Sequence, residues 1–211
     1  MSIDNLKSLV AKKGGLAKSN RFNIIFTPPK QSLLNLNPEV LVGSLVSGNF
    51  SVKNLINDPR DISLLCQSAT LPGRQITTID YIAEKQNVPI PYTAIDEDVS
   101  VKFLLTNDYY MKILFDNWLN SILDMNVYQI GYKKDFAVDV IIQQINEKNI
   151  PVYGVKLINA FPTTVSGVEL DNGAENSVSE LTVTFSYDKY IPEGPGSSTL
   201  SALTSAASIL T

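Results

Sequence analysis

Alternation of apolar and polar positions dominates this chain. Residues 181–187 read LTVTFSY, apolar on one face and hydroxylated on the other, the period of a half-buried antiparallel strand. The same period predicts strands at 21–26, closed by Pro28-Pro29, at 99–106 and at 136–142. It also predicts strands at 62–68 and 150–159, with extended pieces at 75–82 and 84–88 and an edge position imposed by Pro89 and Pro91. Asn146 to Asn149 reads as a hairpin turn, 161–164 as a loop, and Asp171-Asn172-Gly173 as a turn.

The period changes once. Met111, Leu114, Phe115, Trp118, Leu119 and Ile122 fall at i, i+3, i+4, i+7, i+8 and i+11, one continuous apolar stripe on a helix. Asn107 or Asp108 supplies the expected N-cap. Core packing accounts for this stripe, and it defines the one main helix of a mainly β chain. A second, shorter helix is expected at 4–13, with Leu6, Leu9 and Val10 on one side and Gly14-Gly15 ending it.

The domain reading follows. Residues 1–19 form an N-terminal arm, disordered or docked on a neighbour. Residues 20–190 form the folded domain. Within it, 27–63 is a long loop or insertion mixing Leu, Val, Asn, Ser and Gly, with room for a short hairpin at 41–46 and 50–55. After Tyr190, PEGPGSS reads as a flexible linker into a small-residue tail, 191–211.

Composition narrows function mainly by exclusion. The chain has 211 residues, enough for one domain with a real core, and 44% of them are hydrophobic. Only 18% are charged, a slight tilt toward a surface covered by other subunits. The 17 Lys and Arg against 21 Asp and Glu leave a net charge of −4 without a long basic run, which argues against gripping nucleic acid. There is no His and one Cys, so an internal disulfide and a Cys/His metal site are both excluded. The start lacks a signal-peptide pattern, and no apolar run approaches a membrane span, so folding in a reducing cytoplasm without a membrane anchor is expected.

Little catalytic chemistry remains. Without His the usual general base is missing. Cys66, in an apolar strand context, reads as a buried structural thiol and not as a nucleophile. Asp96-Glu97-Asp98 could hold a divalent cation, but a solvated turn before a strand explains it better. No P-loop or dinucleotide fingerprint occurs. The chain reads as a non-enzyme with no cofactor and no metal. Three classes stay in play: a structural tube subunit, an adaptor module built on an antiparallel barrel, and a small hydrolase without His.

An ordered set of motifs favours the first. YGVKLINAFPT at 153–163, VELD at 168–171 and VTFSYD at 183–188 resemble the end of the tail tube proteins of contractile-tailed bacteriophages (myoviruses). RFNIIF at 21–26, CQSATLPG at 66–73 and VKFLLTNDY at 101–109, followed by a helix with Phe115 and Trp118-Leu119, resemble that family's earlier elements in the same order. The resemblance covers about residues 20 to 190; the 27–63 insertion and the 191–211 tail depart from the minimal pattern. It implies two antiparallel sheets packed as a small barrel or sandwich with one flanking helix. Phe22, Ile24, Phe26, Val101, Phe103, Val183, Phe185 and Tyr187 are then sheet-core or inter-subunit strand positions. It further implies hexameric rings, joined sheet to sheet and stacked into a tube inside a sheath. Baseplate and tail-terminator proteins would be partners, and DNA would pass through the lumen without specific binding. The place of action would be the phage tail of the virion, assembled in the host cytoplasm. Leu41, Val42, Val46, Phe50, Val52 and Leu55 are candidate ring-to-ring contacts. The alternative is a baseplate tube initiator, or the tube protein of a related contractile injection or secretion system.

Overall fold

The computed structural model describes residues 2–29, 59–83, 86–125, 127–173 and 177–194. The candidate ring contacts Leu41, Val42, Val46, Phe50, Val52 and Leu55 lie outside these residues, as does most of the 191–211 tail.

The elements in chain order are α1 (Ile3–Lys12), β1 (Phe22–Ile25), α2 (Pro59–Leu65), β2 (Cys66–Ala69), β3 (Arg74–Ala83), β4 (Gln86–Asp96) and β5 (Val99–Leu104). They continue with α3 (Tyr110–Ile122), β6 (Leu123–Asp124), β7 (Gln129–Ile130), α4 (Lys133–Phe136), β8 (Val138–Ile145), β9 (Pro151–Val165), β10 (Glu180–Ser186) and β11 (Lys189–Glu193). Seven strands form one antiparallel sheet in the order β1-β8-β9-β10-β5-β2, with β11 also on β9.

Strand β9 makes this sheet into two leaves. Its first part pairs with β8 on one side and β11 on the other; its last part pairs with β10. Between them the ladder slips at Asn159, whose φ of 53° is left-handed. Asparagine tolerates that conformation because its side chain bonds locally, and a bulge there bends the strand. Asn159 Nδ2 donates to Asp188 Oδ2 at 2.8 Å, and its N–H donates to Asp139 Oδ1 at 3.2 Å. A second slip lies opposite Pro162, which has no N–H to give the ladder. The two leaves pack as expected, but among the described residues no barrel closes: β1 and β2 stay at the outer edges, and α2 packs against both.

One core joins the leaves to α3. Ile24, Phe26, Val101, Phe103, Val183 and Phe185 are buried together with Met111, Leu114, Phe115 and Trp118. Phe26, Phe103, Phe115, Trp118 and Phe185 form a ring cluster with centroids 5.3–6.2 Å apart. The indole of Trp118 is fully buried and still donates, Nε1 to the Phe136 carbonyl at 2.8 Å. Leu119 and Ile122, at the rim of the helical stripe, are half-buried, as are Phe22 and Tyr187 on their strands.

Five local expectations change. Residues 62–65 end a helix, and the strand begins at Cys66. Ile62 is buried and Leu65 packs on the core while Leu64 is 81% exposed, the spacing of a helix and not of a strand. Phe136 belongs to the one-turn helix α4, which aims its carbonyl at Trp118, so the strand starts at Val138. The 161–164 stretch is not a loop: β9 runs through it to Val165, carried past Pro162 by the second slip. The chain after Tyr190 stays paired to β9 as far as Glu193, so the tail begins later than 191. Helix α3 begins at Tyr110, with Tyr109 (φ 52°) in the capping position and Asp108 Oδ1 accepting from the Tyr110 N–H at 3.4 Å.

Candidate assembly surfaces

The fold leaves a long β-hairpin outside its core. Strands β3 and β4 pair from Arg74↔Asp96 to Ala83↔Gln86 and, among the described residues, with no other strand. At about 3.4 Å per residue, ten pairs carry this hairpin roughly 30 Å from its base. Ile79 faces Ile90 and Tyr81 faces Val88, on the same side; Ile76, Ile82, Tyr92 and Ile95 add further apolar surface. All eight side chains are exposed, by 44–75%. An isolated two-stranded hairpin is marginal in water, and a contiguous apolar patch on one marks a partner surface.

Its base, in contrast, is well held. Arg74 grips Asp96 with two bonds, Nε to Oδ1 at 2.6 Å and Nη2 to Oδ2 at 3.0 Å, and its guanidinium lies 4.4 Å from the Tyr190 ring centroid. The hydrogen bond from Arg74 holds the Asp96 carboxyl below its usual range, and the same bond raises the guanidinium. Tyr187 donates its hydroxyl to the Glu97 carbonyl at 2.6 Å; burial, then the nearby Asp96 charge, pushes that phenol up to about 12. The Tyr190 ring and the Tyr187 hydroxyl thus link the hairpin base to the β10–β11 junction.

The sheet edges make a second surface. Between β1 and β2 lies a cleft of about 530 Å³, lined by Phe22, Ser68, Ala69 and Gln143 among others. Gln143 is 4% exposed, and its Nε2 has no hydrogen-bond partner among the described residues. A buried donor of this kind costs free energy until an acceptor reaches it. The helix α1 is a third surface, with no buried residue and with Ile3, Leu6 and Leu9 exposed by 55–71%.

Of the positions read as sheet or helix core, Ile24, Phe26, Val101, Phe103, Val183, Phe185 and the first four stripe residues of α3 are buried. Sequence reasoning read extended pieces at 75–82 and 84–88 and an edge at Pro89 and Pro91 but did not pair them into one hairpin. The candidate chemistry dissolves into structure. Asp96 is engaged by Arg74, and among the described residues no three acidic, His or Cys side chains converge. Cys66 is half-buried against the core, with its thiol pushed up to about 12 by burial, an inert position.

Comparison with known proteins points one way. No curated protein matches the sequence significantly. A chain in the baseplate of the anti-feeding prophage is similar in structure, with a TM-score of 0.56 at 18% identity over 85% of this chain and 96% of its own. A chain in the extended sheath–tube complex of an extracellular contractile injection system (PVC) gives 0.55 at 16% identity, over 92% and 99%. One in the sheath/tube terminator of the same kind of system gives 0.50 at 18% identity, over 61% and 85%. These likenesses concern the fold. The sequence itself matches the family of phage tail tube proteins over residues 17–193, and the chain belongs to that family.

Proposed function

We propose that this protein is the repeating subunit of the inner tube of a contractile tail or injection device. Six copies close into a ring, and rings stack into a conduit for DNA or another cargo inside a sheath. The observation that carries the stacking is the β3–β4 hairpin, closed at its base by Arg74 and Asp96, with its large apolar side chains exposed. Its apolar face fits against the neighbouring ring, and the open β1 and β2 edges, with the Gln143 donor beside them, fit the sheet-to-sheet contact within a ring. Sheath, baseplate and terminator proteins are the partners this reading entails. The family is a structural one, and no enzymatic role is proposed.

A second reading is a baseplate tube initiator, favoured by the likeness to the baseplate chain. An initiator forms one ring and starts a tube of other subunits; a tube protein stacks on itself.

Negative-stain microscopy and light scattering at rising concentration separate the two. The tube reading expects rings or tubes about 80–100 Å wide, the size of six domains of about 30 Å each around a circle. Ile79→Asp with Ile90→Asp should abolish stacking while leaving the thermal melt of the single domain unchanged, since both side chains are exposed. Single rings that never stack would favour the initiator. Wild-type protein that stays monomeric at high concentration would overturn both.

A further inference from the structure

The two edges of the β3–β4 hairpin are not equivalent, and the ladder shows why. At the hairpin base the Glu97 N–H donates to the Gly73 carbonyl at 3.0 Å, so Gly73 and Glu97 form a hydrogen-bonded pair. From there bonded and non-bonded pairs alternate along the ladder. Gln75, Thr77, Ile79 and Tyr81 turn their backbone groups toward β4; Arg74, Ile76, Thr78, Asp80 and Ile82 turn theirs away from it. The slip between Thr77 and Thr78 inserts Tyr92 into β4 and leaves the alternation of β3 intact.

Pro89 lies opposite Asp80 and Pro91 opposite Thr78, both in non-bonded pairs. An N–H at either position would face outward, and proline has none. The outer edge of β4 is therefore broken for strand addition. Strand β3 has no proline from Arg74 to Ala83, so its outward edge keeps every donor and acceptor. Among the described residues no strand pairs with that edge. Ile76 and Ile82, on the same row, are exposed by 62% and 75%, so the edge is accessible. A long unpaired edge is a template for another strand, and the prolines confine that pairing to β3.

The chain supplies an acceptor of the same kind. The seven-stranded sheet ends at β1 and β2. Of the two, β2 is the more open: Gln67 and Ser68 are exposed, while every β1 residue is buried or half-buried. The Ser63 hydroxyl of α2 also donates to Asn23 Oδ1 on β1. The Thr70 N–H donates to the Ser100 carbonyl at 2.9 Å, which turns Ala69 outward on the free side of β2. A donor edge on β3 and an acceptor edge on β2 are different surfaces of one chain. Their contact is heterologous, repeats from copy to copy, and makes a ring when the rotation closes.

We propose that the outward edge of β3 in one subunit pairs with the free edge of β2 in a second copy of this chain, its neighbour in the ring. The face with Ile79, Tyr81, Val88 and Ile90 is left for the adjacent ring. The proposal rests on the tube reading and names the strand contact within its rings.

Hydrogen exchange of the full chain, read residue by residue, tests it. On assembly the amides of Ile76, Thr78, Asp80 and Ile82 should slow by roughly a hundredfold, and those of Asn87 and Ala94, outward on β4, should not. Equal protection of both edges, or of neither, would overturn the pairing. Sedimentation gives a second arm. Thr78→Pro with Asp80→Pro removes outward donors and keeps the inward bonds, so it should raise the concentration for half-assembly of rings and tubes alike by roughly tenfold. Thr78→Ala with Asp80→Ala keeps the donors and should assemble like wild type. Slow exchange of the inward Ile79 and Tyr81 amides checks that the hairpin survives in the proline variant; Ala69→Pro, which removes the outward donor of β2, replaces it if the hairpin melts. Single rings with β3 protected would keep the pairing and remove the tube. Tubes in which β3 exchanges freely, unmoved by the prolines, would overturn the pairing alone. Protein that stays monomeric at high concentration would overturn both. Protection of β3 only on adding a sheath subunit would give the edge to that partner and overturn the proposal.

Discussion

Trp118 concentrates the energetics of the fold in one side chain. It stacks on Phe115 at 5.9 Å, meets Phe26 and Phe185, and satisfies the Phe136 carbonyl. Trp118→Ala leaves a cavity among packed rings and an unpaired carbonyl, and should cost about 3–5 kcal/mol. Trp118→Phe keeps most of the volume and loses the donor, so its cost should fall to about 1–3 kcal/mol, the penalty of the orphaned carbonyl. Chemical denaturation of both variants checks this; equal losses would mean that the hydrogen bond contributes nothing. Asn120, on the exposed side of the same helix, should tolerate Ala within about 0.5 kcal/mol.

At the scale of elements, the β3–β4 hairpin is defined by its clamp. Arg74 holds the Asp96 carboxyl down, so the folded clamp binds a proton less readily than the free chain. A group depressed in this way stabilises the fold above its unfolded pKa, near 3.9, and the contribution is lost as pH falls through the lower, folded value. The hairpin should therefore stay anchored at neutral pH and loosen below about pH 4. Hydrogen exchange of the Glu97 amide, which donates to the Gly73 carbonyl at 3.0 Å, reports this directly. Asp96→Asn should show the loosened exchange already at neutral pH. Unchanged exchange in that variant would assign the anchoring to Tyr187 and Tyr190 instead.

For the whole molecule, charge decides how a conduit treats its cargo. A net charge of −4 without a basic cluster offers DNA few phosphate-neutralising sites. Assembled protein should bind labelled duplex weakly by fluorescence anisotropy, with little change between about 50 and about 200 mM salt. Submicromolar binding that falls by roughly a hundredfold or more across that range would mean that assembly creates a basic lumen, and that the tube holds DNA instead of letting it slide.

The sequence alone determined whatever depends on short-range period. The stripe from Met111 to Trp118 and the alternation through Val183 and Phe185 could be read from spacing, because a buried face imposes 3.6 or 2 on the residues that form it. The strand motifs that resemble a tail tube protein, such as RFNIIF and VTFSYD, were legible in part for the same reason, since their alternate residues are buried. Tertiary structure alone decided what depends on partners distant along the chain. Ile62 and Leu65 look like strand residues until the core claims them at helical spacing. Strand β9 could not be seen running through Pro162, nor the chain staying in the sheet to Glu193, because each rests on a bulge or a pairing supplied by another strand. The pairing of β3 with β4 escaped notice because the faces are mixed, Thr78 and Asp80 alternating with Ile76 and Ile82 on one of them. Period marks a face only where one side is buried and the other meets water, and the large apolar side chains of this hairpin are exposed.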